Sequence, residues 1–229
     1  MEKDIFKEVD HYINALLVPE DEILLSIPKT MEDAGLPSSS VSPNQGKFLQ
    51  MMALICQAKT ILELGTLGGY STIWLGRALP EDGTMISVEA NPAHAAVARK
   101  NIGRAGLSGK VEVRVGKAME VLEKMIHDHQ KPFDLIFIDA DKEPYAEYFN
   151  LSLQLSRPGT CIIADNLIRE GAVLDTATDD SFVLGVQRFN KLLSSTEGVT
   201  STILQTVGLK PHDGMSISIV NRPASGKTT

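Results

Sequence analysis

The sequence is poor in the features that would direct it to a membrane, an oxidising compartment or a nucleic acid. Only two of its 229 residues are cysteines, too few for the disulfide framework of small secreted proteins. No apolar run approaches the roughly 20 residues of a transmembrane helix, and the N-terminus lacks the basic and apolar regions of a secretory signal. The net charge of −7 provides little attraction for phosphate backbones. A cytoplasmic protein without a large nucleic-acid interface is therefore predicted.

Apolar spacing divides the chain into a helical N-terminal part, residues 1–58, and a core, residues 59–222. In the first part, residues such as Ile5, Val9 and Leu16 share one helical face and are expected to pack on the core. From Thr60 onward, short β-rich runs alternate with helical stretches, which is typical of βαβ units. The last two runs have no helix between them, so they predict an antiparallel pair at the sheet edge. Residues 223–229 are predicted to be a frayed tail.

These observations predict an α/β fold in one structural domain. Its doubly wound, mostly parallel sheet would have seven strands, with an antiparallel edge strand and extra N-terminal helices. The seven predicted strands are residues 61–64, 85–88, 111–115, 135–138, 161–164, 202–207 and 215–220. In such a sheet, ligands bind beyond the carboxyl ends of the strands, so functional residues are expected directly after each run.

The first two strands are followed by a glycine-rich turn and by an acidic residue. The spacing of Gly65 and Gly68 departs from the dinucleotide fingerprint, and no Gly-Lys-Ser/Thr follows the turn as in a P-loop. Glu89 could accept hydrogen bonds from ribose hydroxyls, and Glu63 could face the cationic amino group of a methionine tail. A nucleoside without phosphates explains both features. A tight turn and a solvated carboxylate are the alternatives.

Oxygen-bearing side chains follow the fourth and fifth strands. Asp139 ends one strand, and Asp165 and Asn166 end the next. If these strands are neighbours, two carboxylates and an amide oxygen converge, and such hard ligands suit magnesium. The sequence has no His/Cys cluster that would suggest zinc. The alternative is that these residues serve as turn and helix-cap residues.

With these motifs, the sequence resembles the metal-dependent O-methyltransferases typified by the catechol and caffeoyl-CoA enzymes. The resemblance covers about residues 40–220, and Asp-Ala-Asp-Lys at 139–142 followed by Asp-Asn at 165–166 is its most specific part. It implies S-adenosylmethionine (SAM) as methyl donor, a divalent metal on Asp139, Asp165 and Asn166, and Lys142 as general base. Magnesium is the expected metal, with manganese or calcium as alternatives. The implied cofactor positions are Val41, Glu63, Gly65, Ser71, Glu89, Ala118 and Asp139.

The implied chemistry is consistent with the residues present. A phenol with a pKa of about 10 is mostly protonated at neutral pH, whereas metal coordination lowers the pKa of a bound hydroxyl and fixes both oxygens of a diol. Beside a dication, the pKa of Lys142 is expected to be lowered, so that its amine could take the proton. The sequence therefore predicts methyl transfer from SAM to a hydroxyl of a metal-chelated, catechol-type vicinal diol.

The acceptor end departs from the family pattern. Arg169 stands where plant relatives often have an aromatic residue, which favours a polar or acidic diol. Arg188 could approach the substrate mouth, and a salt bridge on a helix surface is the alternative for it. A basic patch of Lys142, Arg169 and Arg188 would instead favour the family's alternative activity, O-methylation of a hydroxyuridine in tRNA. A nicotinamide oxidoreductase and a catalytically silent cofactor-binding partner are further alternatives. The family resemblance also implies a homodimer. The apolar N-terminal helices could supply its interface, or they could equally cover their own sheet.

Overall fold

The computed structural model describes residues 4–221, which form one sheet in the order β3-β2-β1-β4-β5-β7-β6. The strands are β1 (Thr60–Leu64), β2 (Thr84–Glu89), β3 (Val111–Val115), β4 (Phe133–Ile138), β5 (Ser156–Asp165), β6 (Val199–Thr206) and β7 (Asp213–Val220). The helices are α1 (Ile5–Leu17), α2 (Glu22–Asp33), α3 (Pro43–Ile55), α4 (Tyr70–Gly76), α5 (Pro92–Arg104), α6 (Ala118–His127), α7 (Tyr145–Gln154) and α8 (Ser181–Ser195), with a 3₁₀ segment at Arg169–Leu174.

The predicted seven-stranded, mostly parallel sheet is confirmed. Strands β3, β2, β1, β4 and β5 pair in parallel. The predicted antiparallel pair is β6 and β7, but the strand that runs against the others, β7, is inserted between β5 and β6 and does not form the edge. The predicted tail at 223–229 lies outside the described residues.

The central strands are buried on both faces because helices cover the sheet on either side. Ile61 and Leu135 point into the layer formed with α2 to α5. Their neighbours Leu62 and Ile136 point into the layer formed with α6 to α8. This two-sided burial explains why residues 135–138 of β4 and 161–164 of β5 form continuous apolar runs, and it fixes the strand ends that carry the polar residues.

The N-terminal helices do not all pack as predicted. Leu24 and Ile27 of α2 and Leu49 of α3 are fully buried in the core. In contrast, the apolar face of α1 points outward: Ile5 is 57% exposed and Tyr12 is 67% exposed. The expectation that this face packs on the core is wrong, because α1 instead buries its polar residue.

That polar residue is Asp10, which fixes the orientation of α1. Its carboxylate accepts hydrogen bonds from the backbone N–H of Leu209 at 2.9 Å and from Asn44 Nδ2 at 3.3 Å. A buried carboxylate needs such partners, so α1 turns this face inward and leaves its apolar face unpartnered. None of the described helices is long and apolar enough to cross a membrane.

Candidate active site

The main cavity lies at the carboxyl ends of the parallel strands and has a volume of about 1130 Å³. It opens where β1 and β4 run side by side, the point at which strand order reverses. Such switch points are where ligands bind in doubly wound sheets. The lining includes residues 65–67 after β1, Glu89 at the end of β2, residues 139–142 after β4, and Asp165 and Asn166 at the end of β5.

The glycine-rich turn brings the ends of β1 and β4 into close approach. Gly65 and Gly69 have φ angles of +96° and +84°, in the left-handed region that favours glycine. A Cβ on Gly65 would overlap the backbone carbonyl of Asp139. The turn therefore needs glycine for two separate reasons, and α4 begins directly after it at Tyr70.

Glu89 is held at the cavity wall by backbone N–H groups. Its Oε2 accepts hydrogen bonds from Leu67 N at 2.8 Å and from Thr66 N at 3.3 Å, and its Oε1 accepts one from Asn91 N at 2.9 Å. The side chain lines the cavity although the residue is only 8% exposed. This carboxylate is therefore rigid, and its remaining acceptor capacity is available to a ligand in the cavity.

Glu63 is placed differently from the prediction. Its carboxylate is fully buried and accepts hydrogen bonds from Ser71 at 2.7 Å, from Thr72 at 2.5 Å and from Ser87 at 2.6 Å. Burial raises its pKa to about 7, although the three hydroxyl donors oppose this shift. Glu63 is not among the residues that line the cavity, so it supports Ser71 from behind and does not face the cavity directly.

The other predicted cofactor positions are brought together in the cavity. All of them except Glu63 line it: Val41, Gly65, Ser71, Glu89, Ala118 and Asp139. Val41 comes from the loop before α3, and Ala118 is the first residue of α6. Segments distant in sequence therefore meet around one cavity.

The three predicted metal ligands also converge at this cavity, because β4 and β5 are adjacent and Ile138 pairs with Ala164. Asp139 and Asp165 follow these paired residues directly. Asn166 adopts the left-handed region, with a φ angle of +66°, and its Nδ2 donates to Asp213 Oδ2 at 3.3 Å. The juxtaposition inferred from the strand ends is therefore present in the fold.

The donor set fits a divalent cation. Asp165 is 3% exposed, and its Oδ1 has no hydrogen-bond partner among the described residues. Burial, together with the charge of Asp139, raises the pKa of Asp165 well above its usual range. A buried carboxylate oxygen that has no donor and lies near a second carboxylate is stabilised by a cation. Within residues 4–221 no three His, Cys, Asp or Glu side chains are grouped to hold a metal, so the predicted set depends on the amide of Asn166.

Lys142 lies beside these carboxylates and is nearly enclosed. Its Nζ donates to Asp139 Oδ1 at 2.8 Å and to the hydroxyl of Tyr145 at 2.6 Å. Burial alone would lower the pKa of Lys142, but the charge of Asp139 and the contact with Tyr145 raise it above its ordinary value. This direction is opposite to the sequence expectation, which assumed a dication next to the lysine. A lowered pKa remains a prediction for the protein with its cation bound.

The two arginines predicted near the substrate have different locations. Arg169 lines the cavity at the start of the 3₁₀ segment. Arg188 does not line it: its Nη2 donates to Glu147 Oε2 at 2.7 Å and to the backbone carbonyl of Glu143 at 2.7 Å. The structure therefore shows the alternative expected for Arg188, a salt bridge on a helix surface, because α8 packs against α7 and directs this side chain to Glu147.

Several site residues were missed at the level of sequence. Tyr145 is fully buried, and its hydroxyl donates to the backbone carbonyl of Asp165 at 3.1 Å. Its position three residues after Lys142 is a signal that could have suggested contact. Lys210 and Asp213 line the cavity from the loop between β6 and β7 and the start of β7. No local pattern marks them, because only the insertion of β7 beside β5 brings them there.

Comparison with known proteins identifies the class to which this fold and site belong. The O-methyltransferase family matches residues 13–219, and the chain belongs to this family. The chain is 56% identical over 220 residues to a catechol O-methyltransferase of Niastella koreensis, a match that covers 96% of this chain and 100% of that protein. The resemblance drawn from the sequence motifs is thereby confirmed.

Solved structures agree with this assignment. An O-methyltransferase from Bacillus cereus in complex with SAH superposes with a TM-score of 0.92 at 47% identity, covering 94% of this chain and 98% of that one. The O-methyltransferase TomG from Streptomyces achromogenes, involved in tomaymycin synthesis and solved with SAM, gives a TM-score of 0.92 at 42% identity and covers 96% and 99%.

Proposed function

We propose that this chain transfers the methyl group of SAM to one hydroxyl of a vicinal aromatic diol, and that the transfer requires a divalent cation held by Asp139, Asp165 and Asn166. The observation that carries the proposal is the pair of carboxylates at the ends of β4 and β5: Asp139 is partly exposed, whereas Asp165 is buried and its Oδ1 has no hydrogen-bond donor among residues 4–221. The catechol methylation named for the Niastella koreensis relative and the SAM named in the TomG structure support the same reaction.

The nucleoside half of the cavity accounts for the cofactor. Glu89 offers acceptor oxygens fixed by three backbone donors, which suits the two hydroxyls of a ribose. Gly65 lines the cavity, and its lack of a side chain lets this turn approach the backbone of Asp139. Ser71 lines the cavity and is held by Glu63. When bound, SAM supplies an electrophilic methyl group on a sulfonium.

The acceptor half accounts for the activation of the hydroxyl. Bound by the three oxygen ligands, a divalent cation would lower the pKa of a diol hydroxyl and compensate the Asp139 charge that raises the pKa of Lys142. Lys142 would take the hydroxyl proton at Nζ, with Tyr145 keeping that atom in place. Fixed groups on four strand ends would align oxygen and methyl, which removes a large entropic part of the barrier.

A small-molecule acceptor is favoured over a tRNA base. The tRNA alternative relied on a basic patch of Lys142, Arg169 and Arg188 around the cavity. Arg188 lies outside the cavity in an ion pair with Glu147, and Lys142 is paired with Asp139. The net charge of −7 also opposes binding of a polyanion.

The test is a methylation assay with SAM and a panel of catechols, with and without chelator, on the protein and its Asp165→Asn variant. We expect chelation to abolish product formation and Asp165→Asn to lower kcat/KM by at least about 100-fold, equivalent to about 3 kcal/mol of transition-state stabilisation. Titration of Mn²⁺ by electron paramagnetic resonance gives a readout that does not depend on turnover. The variant should bind Mn²⁺ more weakly.

Asp128→Asn is the matched control, because it removes the same charge at an exposed position that pairs with Lys124. It should keep the activity and Mn²⁺ affinity of the unmodified chain. Full activity in the presence of chelator would refute the metal part of the proposal. Binding of labelled NAD in place of labelled SAM would refute the methyltransferase part.

We also propose a homodimer that uses the outward apolar face of α1. Ile5, Tyr12 and Leu17 on this face are each more than half exposed, and exposed apolar patches of this kind commonly mark interfaces. Light scattering should give the mass of two chains, and Tyr12→Glu should shift it to that of one. A single-chain mass for the unmodified protein would refute this part.

A further inference from the structure

Two cations lie at the acceptor end of the cavity without an acidic partner. Arg169 and Lys210 both line the cavity and are partly buried. Among residues 4–221, no carboxylate lies within ion-pairing distance of either side chain. In contrast, Lys142 in the same cavity forms an ion pair, with its Nζ 2.8 Å from Asp139 Oδ1. Cations that lack partners within a cavity are available to a ligand.

Two carboxylates close to these cations in the fold, those of Asp213 and Asp10, are already satisfied by other donors. Asp213 Oδ1 accepts hydrogen bonds from the backbone N–H groups of Ile168, Arg169 and Gly214 at 2.8 to 3.1 Å, and its Oδ2 accepts one from Asn166. Asp10 accepts from Asn44 and Leu209. Apart from the predicted metal ligands Asp139 and Asp165, the remaining acidic groups that line this end are exposed, where solvent weakens their interactions: Asp141, Glu170 and Asp180.

Lys210 also stands where the main cavity meets a second one. The smaller cavity, about 310 Å³, shares Gln45 and Lys210 with the main cavity. Its apolar lining includes Phe48, Leu204 and Met215. An acceptor that reaches this junction would therefore meet Lys210.

We propose that Lys210, assisted by Arg169, forms a subsite for an anionic substituent of the acceptor, so that the preferred substrate is an aromatic diol bearing a carboxylate. This inference rests on the methyltransferase function proposed above. A carboxylate matches both the planar guanidinium and the ammonium group. Because the chain carries a net charge of −7, an anion gains nothing from the overall field, and selectivity must come from these local cations.

The experiment compares kcat/KM for 3,4-dihydroxybenzoate and its neutral isostere 3,4-dihydroxybenzamide, with 3,4-dihydroxybenzylamine as the cationic analogue. We expect the unmodified enzyme to prefer the benzoate over the amide by about fivefold or more, as a partly buried charge pair should provide. Lys210→Met should bring this ratio close to one, mainly through a higher KM for the benzoate. Lys210→Glu should favour the amine.

Lys100→Met is the matched control, since Lys100 is exposed on α5 and lines neither cavity. It should leave the benzoate-to-amide ratio unchanged. Retained turnover of the amide by Lys210→Met would establish that this variant is folded. A ratio near one in the unmodified enzyme, or a ratio unaffected by Lys210→Met, would overturn the subsite while the methyltransferase function stands. Absence of turnover with all three diols would overturn both.

Discussion

A single methyl group added to α8 should displace the loop that carries Lys142 and so reduce activity. Gly185 lies one turn into α8, against the loop that carries Lys142. A Cβ at this position would lie 2.7 Å from Glu143 Cα and 2.9 Å from the carbonyl carbon of Lys142. Gly185 contacts neither cavity, so Gly185→Ala tests whether the fold determines the position of Lys142.

The expected magnitude follows from these distances. Carbon atoms pack at about 3.5 to 4.0 Å, so α8 and the Lys142 loop must separate by about 1 Å. A displacement of this size at a reacting group can reduce the rate by about 100-fold. Overpacking of this kind costs about 1 to 3 kcal/mol, and the better helix propensity of alanine offsets about 1 kcal/mol of that. Stability should therefore fall much less than activity.

The assay measures kcat/KM with a catechol, SAM affinity by calorimetry, and the thermal midpoint. Gly103→Ala is the matched control: it is also helical, on α5, and its Cβ would meet only Ser108 Oγ at 3.5 Å. We expect this control to gain up to about 1 kcal/mol of stability and to keep full activity. If Gly185→Ala behaves like the control, or if SAM affinity falls as much as turnover, the positional argument is wrong.

Two further predictions concern buried polar groups. Tyr145→Phe removes the hydroxyl that binds Lys142, so kcat should fall more than KM rises. The thermal midpoint should drop by about 5 °C because a hydrogen bond to a charged group is lost. An effect on KM alone would contradict this prediction. The pKa of Glu63 is raised to about 7 in the folded protein, so the folded state favours the protonated side chain. The contribution of Glu63 to stability is therefore fully present below the unfolded pKa near 4.5 and is lost as pH rises through 7. The free energy of unfolding, measured with urea on the ligand-free protein, should therefore decline from pH 4 to 8, and Glu63→Gln should reduce this decline by up to about 3 kcal/mol. Parallel plots of unfolding free energy against pH for the two proteins would contradict the assignment.

The sheet could be predicted because each of its strands has a strong local signal. The seven runs of β-rich residues correspond to the seven strands, and the alternation with helices is sufficient to imply parallel pairing. The convergence of Asp139 with Asp165 and Asn166 followed from the same reasoning, since adjacent parallel strands end at the same edge. Local pattern and topology were therefore enough for the centre of the site.

Predictions failed where tertiary packing decides between two faces of a helix. The apolar face of α1 was expected to be buried, but the hydrogen bonds to Asp10 turn the helix the other way. For Arg188 the sequence left a cavity position and a helix-surface salt bridge open, and the packing of α8 on α7 pairs it with Glu147. The cavity position of Lys210 likewise depends on β7 lying beside β5. Helical spacing defines a face and does not say what that face meets.

The arrangement of charge explains why these strand ends form a site and not merely a sheet edge. Glu63 and Asp165 are buried, and burial raises the pKa of each. A chain optimised for stability alone would avoid such groups, because buried carboxylates without full compensation are costly. Here the hydroxyls around Glu63 reduce that cost, whereas one oxygen of Asp165 has no donor within the described part of the chain. The uncompensated oxygen lies beside Asp139 and near Lys142, so the fold leaves negative charge where a cation would relieve it.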